Sequence, residues 1–376
     1  MAFLLYCEIG NKVFRNPLDL IGTNKLSEVA ACFDRLESAS QQGYYLAGFL
    51  SYEAGYAFEP RLQGKDEFDF PLLKFGIFRE PRISKTLPVN PDLRISGELT
   101  MAADQYGAKI EKIREYIAAG DTYQITFCVK QKFGYAGSPY QLYQSLLSYQ
   151  AVPYPAFISH DDLFIISLSP EMFLHKKGGI ITTKPMKGTL LRDGRIINDL
   201  FGGWQLHYDP KNRAENIMIT DLLRNDLGRI CHYGSVRTLK LYEVAKYRTV
   251  YQMTSTVQGE LNDPAIRYYD IFKALFPSGS VTGAPKIRAM EIIRELEPEE
   301  RRIYTGAIGY ITPDREMFFN IPIRTLLFRD RQGKQGVAGS SREGEMGVGG
   351  GITWYSTAEG EYEECLIKSR FLSAPL

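Results

Sequence analysis

The chain reads as an α+β protein built on antiparallel sheets. Short strand-like runs come in groups rather than alternating one for one with helices, and helical stretches come singly or in pairs; both observations speak against a doubly wound parallel sheet. The composition, with 44% hydrophobic and 24% charged residues in 376, supplies enough apolar material for a large core.

Taken in order, Leu26, Val29, Ala30, Phe33 and Leu36 form a helical stripe, followed by the strand-like run YYLAGFLSYEA. Roughly residues 80–100, with three prolines and little periodicity, read as a connection between a short N-terminal segment, 1–95, and a longer portion, 96–376. Ile110, Ile113 and Ile117 mark a helix ending at Gly120. Ser138-Pro139, Asp209-Pro210 and Asp263-Pro264 each pair a capping residue with a proline suited to a first helical turn. PAFIS, LFIISL, MFLHK and IITTK read as strands between 155 and 192, with more over 304–311 and 317–328. Pro185-Met186-Lys187-Gly188-Thr189 reads as a tight turn, and Ser356-Thr357-Ala358-Glu359 as a capping box opening a last helix.

Formal net charge is +1 with no basic block, so nothing marks a nucleic-acid or membrane-surface partner. No apolar run reaches the roughly 18 residues of a bilayer span, and the N-terminus lacks the layout of a signal peptide. Five scattered cysteines without a C-x-x-C predict reduced, buried thiols in a cytoplasmic protein, and four histidines without H-x-x-x-H spacing leave no zinc site. A metal, if bound, should be a hard cation on carboxylates.

Three groups could carry chemistry. Glu361, Glu364 and Lys368 share one face of the last helix, while Glu215 lies beside Met218, Ile219 and Leu222 on another. The plain reading of the first is a solvated acidic face with a Glu364–Lys368 pair; the functional one is a Mg²⁺ site. The glycine-rich loop FPSGSVTGAPK leads into a helix with Pro285 at its first position; it is either an anion cradle or a tight connection. Arg324, in the apolar run FFNIPIRTLLF, needs a structural or a ligand carboxylate. Tyr304 is a matching phenolic donor or a core tyrosine. Together these suggest a small dianionic substrate, with Lys187 and Glu171 as nucleophile and acid or base.

These residues occur in the runs G-D-T-Y-Q (120–124), S-P-E (169–171), K-P-M-K-G-T (184–189) and A-E-N-I-M-I-T-D-L-L-R-N-D-L-G-R (214–229). P-S-G-S-V-T-G-A-P-K-I-R-A-M (277–290), Y-T-G-A-I-G-Y (304–310), I-R-T (323–325), G-V-G-G-G-I (347–352) and E-Y-E-E-x-x-x-K (361–368) follow. In this order they resemble the chorismate-utilising enzymes, which include anthranilate, aminodeoxychorismate, isochorismate and salicylate synthases. The resemblance covers about 100–370. It implies a sandwich of two antiparallel sheets flanked by helices, in four α/β/β/α layers, with the N-terminal segment packed into the same fold; some relatives bind tryptophan there. It also implies Mg²⁺ held by Glu215 and Glu364 with Glu361 in support. Arg324, Tyr304 and backbone at Gly349 and Gly351 would bind carboxylate, and Gly188, Thr189, Thr282, Gly283 and Lys368 would line the pocket.

Within that family Lys187 resembles the aminodeoxychorismate-forming branch, whereas anthranilate synthases carry alanine there and glutamate at the position of Asn212. Lys187 would attack the ring as the 4-hydroxyl leaves, with Glu171 as acid and base, and ammonia would then displace it. Gln124 stands where the water-adding relatives carry lysine, and Gln252 where many have histidine. The expected activity is amination of chorismate at C4. Anthranilate formation, or a non-catalytic binding partner of the same fold, are the alternatives. No cysteine lies in a G-x-C-x-G elbow, so ammonia is expected from a separate glutamine amidotransferase subunit.

Overall fold

The computed structural model describes residues 5–83, 95, 97–150, 152–192, 196–247, 250–329 and 342–369. Two ten-stranded sheets dominate it, and every strand pairing in both is antiparallel. The first runs Gly283–Ala284, Gln124–Tyr135, Arg342–Ile352, Thr325–Arg329, Leu163–Ser169, Tyr154–His160, Leu5–Ile9, Lys12–Phe14 and Arg82–Ile83; Gly97–Leu99 also pairs with Gln124–Tyr135. The second runs Met186–Leu191, Val250–Glu260, Ile180–Lys184, Met172–Lys177, Met317–Asn320, Ala307–Ile311, Tyr45–Leu50, Leu73–Phe78 and Asp19–Thr23; Arg237–Lys246 also pairs with Val250–Glu260. Strands from the first hundred residues thus extend both sheets.

Alternation explains the layering. In Leu5–Ile9 the residues Leu5, Cys7 and Ile9 are buried in one cluster with Ala47 and Phe49 of the other sheet. A larger cluster packs helix Val29–Gln41 (through Val29, Phe33 and Leu36) with Phe272, Phe319 and the helix Lys286–Leu296. All five cysteines are buried and free. No described helix is long and apolar enough to cross a membrane.

The helix at Ala103–Ala118 ends as expected, with Gly120 at φ +81° and its N–H on Ile117 O. Ser138 and Asp209 cap Pro139–Tyr149 and Pro210–Gly228, accepting from the N–H of Gln141 and Asn212. Five expectations need correction. Asp263 spends its carboxylate on the N–H of Ala265 in a local turn, and the helix begins only at Tyr268. The run YYLAGFLSYEA stops being a strand at Leu50 and becomes a 3₁₀ helix, Tyr52–Phe58. Lys187 is not in a tight turn but in the bulged edge strand Met186–Leu191, whose register against Val250–Glu260 shifts between Met186 and Thr189. The expected strand over 317–328 breaks between Asn320 and Thr325, leaving Arg324 in a bend at φ +51°. The final helix, Ala358–Ser369, is capped by Thr357, which accepts from Gly360 N, while Ser356 donates to Glu361. Most of the expected connection over 80–100 lies outside the described residues.

Candidate active site

The bulge presents Lys187. Gly188 adopts φ +97°, and a Cβ there would stand 3.1 to 3.2 Å from side-chain atoms of Asn212, so only glycine lets the strand pass the N-terminal turn of helix Pro210–Gly228. The lysine side chain is half-buried and reaches across to the other sheet. A Cβ placed on Gly351 would lie 3.4 Å from Lys187 Nζ and 2.1 Å from Gln124 Nε2, so the amine and the amide both approach the bare backbone of Gly351. Gln124 is 1% exposed, and among the described residues neither atom of its amide has a partner. The same holds for Nδ2 of Asn216 and Oε1 of Gln252, which stands opposite Thr189 in the ladder. Unpartnered buried amides are costly in a core and ordinary in a pocket that waits for a polar ligand.

Glu171 lies one hydrogen bond from the strand that carries Lys187. Its own backbone is fixed: Ser169 Oγ accepts from Glu171 N, and Ile321 N donates to Glu171 O at 3.0 Å. The carboxylate is buried and accepts from Met186 N at 3.3 Å, one residue from the lysine. Burial pushes its pKa up to about 7, opposed by a hydrogen bond from Ser280 and the charge of Lys187. A carboxyl that can hold or release a proton near neutrality is suited to both halves of an acid–base step.

The carboxylates of the last helix gather over Gly350. A Cβ there would lie 2.9 Å from Glu361 Oε2 and 3.5 Å from Glu364 Oε1. Lys368 pairs with Glu364 at 2.6 Å and donates to Gly349 O at 2.7 Å. Burial raises the pKa of Glu361, and burial raises that of Glu215 also; for Glu364 burial is outweighed by Lys368, and its pKa falls. Glu215 and Glu361 both feel the charge of Glu364, with Lys211 opposing. Glu361 and Glu364, with Glu215 near enough to feel the charge of Glu364, supply the kind of oxygen donors a hard divalent cation takes. Among the described residues no three acidic, histidine or cysteine groups stand at metal-ligand spacing, so the existing contacts around Glu364 are those of Lys368.

Arg324 is half-buried in its bend, and among the described residues it has no carboxylate partner. Burial lowers its pKa, with the nearby Tyr247 phenol opposing. An unneutralised guanidinium in such a place fits an anionic ligand group.

Other expected residues sit differently. Tyr304 packs its ring on Gly347 and lines a small cavity with Cys128, Lys130, Glu297 and Arg301. Gly347 is four residues from Gly351 along the strand, about 13 Å at an extended rise of about 3.3 Å per residue. In the glycine-rich loop, Ser280 N, Val281 N and Thr282 N are spent on Ser278 Oγ, Ser278 O and Gly279 O, so they do not form an open anion cradle. Thr282 Oγ1 donates to Ser278 O, and Gly283 passes so close to Gln124 that a Cβ would meet its carbonyl at 2.1 Å. The loop thereby fixes the strand that carries Gln124. The side chain of Thr189 lies outside the described ones.

Sequence reasoning missed Asn216, Ser255 and Ser280. Ser255 Oγ donates to Asn216 Oδ1 at 2.5 Å, and Ser280 reaches Glu171. One signal was available: Asn216, Ile219 and Leu223 fall at i, i+3 and i+7, a polar residue on a buried helical stripe.

A family profile described as "chorismate binding enzyme" matches residues 85–374. Aminodeoxychorismate synthase component 1 of Bacillus subtilis (strain 168) is 37% identical over 75% of the chain and 57% of the relative; that of Klebsiella aerogenes is 38% identical over 76% and 61%. Anthranilate synthase component 1 of Aquifex aeolicus is 37% identical over 70% and 51%. The chain therefore spans only about half to three fifths of the length of these curated relatives. Among solved structures, anthranilate synthase component I from Streptococcus pneumoniae TIGR4 superposes with a TM-score of 0.80 at 26% identity, covering 97% of this chain and 91% of that one. A menaquinone-specific isochorismate synthase from Escherichia coli shares the fold at a TM-score of 0.72, 16% identity, and 98% and 88% coverage. With the profile matched over most of its length and the two-sheet architecture in common with these structures, the chain belongs to the chorismate-binding enzymes.

Proposed function

We propose that the chain converts chorismate and ammonia to 4-amino-4-deoxychorismate, serving 4-aminobenzoate and folate formation, with Lys187 as nucleophile. The observation that carries this reading is that the Lys187 amine and the unpartnered amide of Gln124 both approach the bare backbone of Gly351. On this reading Lys187 stands beside the ring of a small cyclic acid, and position 124, a glutamine, offers no second lysine to activate water. The similarity to aminodeoxychorismate synthase component 1 over three quarters of the chain supports the same reading.

Lys187, unprotonated, forms a C–N bond to the ring as the ring double bonds shift and the C4–O bond breaks. Glu171, protonated, gives its proton to the departing hydroxyl, which leaves as water; the carboxylate then takes the surplus proton from the new lysine nitrogen. Ammonia bonds to C4 while the bond to Lys187 breaks, and its surplus proton goes to the leaving amine. Arg324 holds a substrate carboxylate. Glu215, Glu361 and Glu364 would hold Mg²⁺, which neutralises substrate carboxylate charge. Ammonia comes from a glutamine amidotransferase partner in the cytoplasm.

The test is the product. The chain is incubated with chorismate, MgCl₂ and an ammonium salt, and the mixture is read by mass spectrometry. The reading requires a new species at the mass of aminodeoxychorismate with the enolpyruvyl group retained. Anthranilate with pyruvate would replace it by the anthranilate-forming reaction, and bound but unconsumed chorismate at saturating ammonium would leave a binding protein of the same fold.

A further inference from the structure

Two residues ahead of the matched family region reach into the frame of the site. Tyr52 and Glu53 open the 3₁₀ helix Tyr52–Phe58, and both are buried. Glu53 Oε1 accepts from Arg301 N at 2.7 Å, and its Oε2 accepts from Arg302 N at 3.0 Å. Tyr52 N donates to Arg302 O at 2.8 Å, and the Tyr52 ring stacks 4.4 Å from the Arg301 guanidinium.

Arg301 passes this anchoring on. Its buried guanidinium donates to Val281 O at 2.7 Å in the glycine-rich loop and to Thr126 O at 2.6 Å in the strand that carries Gln124. It also pairs with Glu297 at 2.6 Å, and Glu297 Oε1 accepts from Cys128 N at 2.8 Å. On this edge the strand Gln124–Tyr135 pairs with Gly283–Ala284 at 124–125 and with Gly97–Leu99 at 131–133. The Glu297–Arg301 pair fills the gap between them, doing with side chains what a neighbouring strand would do with backbone. A buried ion pair contributes little net stability, so its use lies in fixing geometry.

We infer that Tyr52 and Glu53 clamp the Arg301–Thr305 turn and, through Arg301, hold the glycine-rich loop and the Gln124 strand in the arrangement that binds substrate. Tyr52, Glu53 and Arg301 are positioning residues, and the N-terminal segment thereby braces the substrate pocket from behind. The substrate half of this inference rests on the chorismate reaction proposed above.

Glu53→Gln is the informative change, because it keeps the shape but sets an amide donor against one of two backbone donors. Two readouts apply: hydrogen exchange of segments 279–284 and 301–306, and the KM and kcat for chorismate. The clamp predicts faster exchange in both segments and a KM raised about tenfold, equivalent to about 1.4 kcal/mol, with kcat held within about twofold. Unchanged exchange in 279–284 overturns it, and so does a fall in kcat at constant KM, which marks mere loss of folded protein. Where the amide variant does not fold, Glu53→Asp keeps the charge, shortens the reach and is expected to give the same pattern at smaller size. If the wild-type chain does not use chorismate at all, the proposed reaction fails and the exchange readout alone upholds or overturns the clamp.

Discussion

Replacing Glu171 by glutamine should abolish turnover and, at the same time, stabilise the protein in mild alkali. In the folded chain, burial holds the Glu171 carboxyl at a pKa of about 7 against an ordinary value of 4.5. At about 1.4 kcal/mol per decade, keeping it ionised inside the fold costs about 3 kcal/mol. The folded state binds this proton more tightly than the unfolded chain does. Its contribution to stability is therefore complete below about pH 4.5, is lost as pH rises to about 7, and is absent above. Glutamine does not titrate and still accepts from Met186 N, so the stability of Glu171→Gln minus that of wild type should grow by about 3 kcal/mol between about pH 4.5 and about pH 8. Urea unfolding of both proteins at the two pH values measures it. Burial raises the pKa of Glu53 as well, but that group is common to both chains and cancels. Turnover in the variant should fall at least about a hundredfold, the usual yield of a positioned acid. A stability difference that stays the same at both pH values would refute the assignment of a near-neutral, desolvated carboxyl to this position.

Arg324→Met should raise the KM for chorismate about a hundredfold, since a charge-assisted contact to a carboxylate contributes about 1.5–3 kcal/mol, while Tm holds or rises because an unneutralised buried charge is gone; steady-state kinetics and thermal melting decide it. Gly351→Ala puts a methyl group 2.1 Å from Gln124 Nε2 and 3.4 Å from Lys187 Nζ, and displacing both should cut kcat at least about tenfold, with an overpacking cost of about 1–3 kcal/mol visible in urea. Chelating divalent cations should stop turnover and added MgCl₂ should restore it. Glu361→Gln should raise the Mg²⁺ concentration for half-maximal rate about tenfold, read by titration.

What could be read from the residues was mostly local. Ser138 and Asp209 announced helix starts because a capping side chain and the N–H that donates to it lie within three residues of each other. Asp263-Pro264 carried the same signal and failed, because the aspartate was consumed by a two-residue turn before a helix could begin. The apolar run Phe318–Phe328 looked continuous, but apolar character does not report a positive φ, so the bend at Arg324 was invisible. The strands from Tyr154 to Lys184 were legible, yet their assignment to two different sheets was not, since it is decided by partners more than a hundred residues away. Lys187, Glu171 and the glycines were legible as motif members; that Lys187 and Gln124 both approach the bare backbone of Gly351 depends on three distant segments. Asn216 and Glu53 escaped for the same reason, since their partners Ser255 and Arg301 lie far along the chain.

The most direct test of Lys187 as nucleophile compares wild type with Lys187→Ala under saturating chorismate, MgCl₂ and ammonium, measuring aminodeoxychorismate by mass spectrometry alongside chorismate affinity by calorimetry. The account predicts that the variant binds chorismate within about threefold of wild type, melts at the same temperature and forms at most about a thousandth of the product. A variant that still aminates chorismate at a rate near that of wild type would contradict it and leave Lys187 as a solvated lysine on an edge strand.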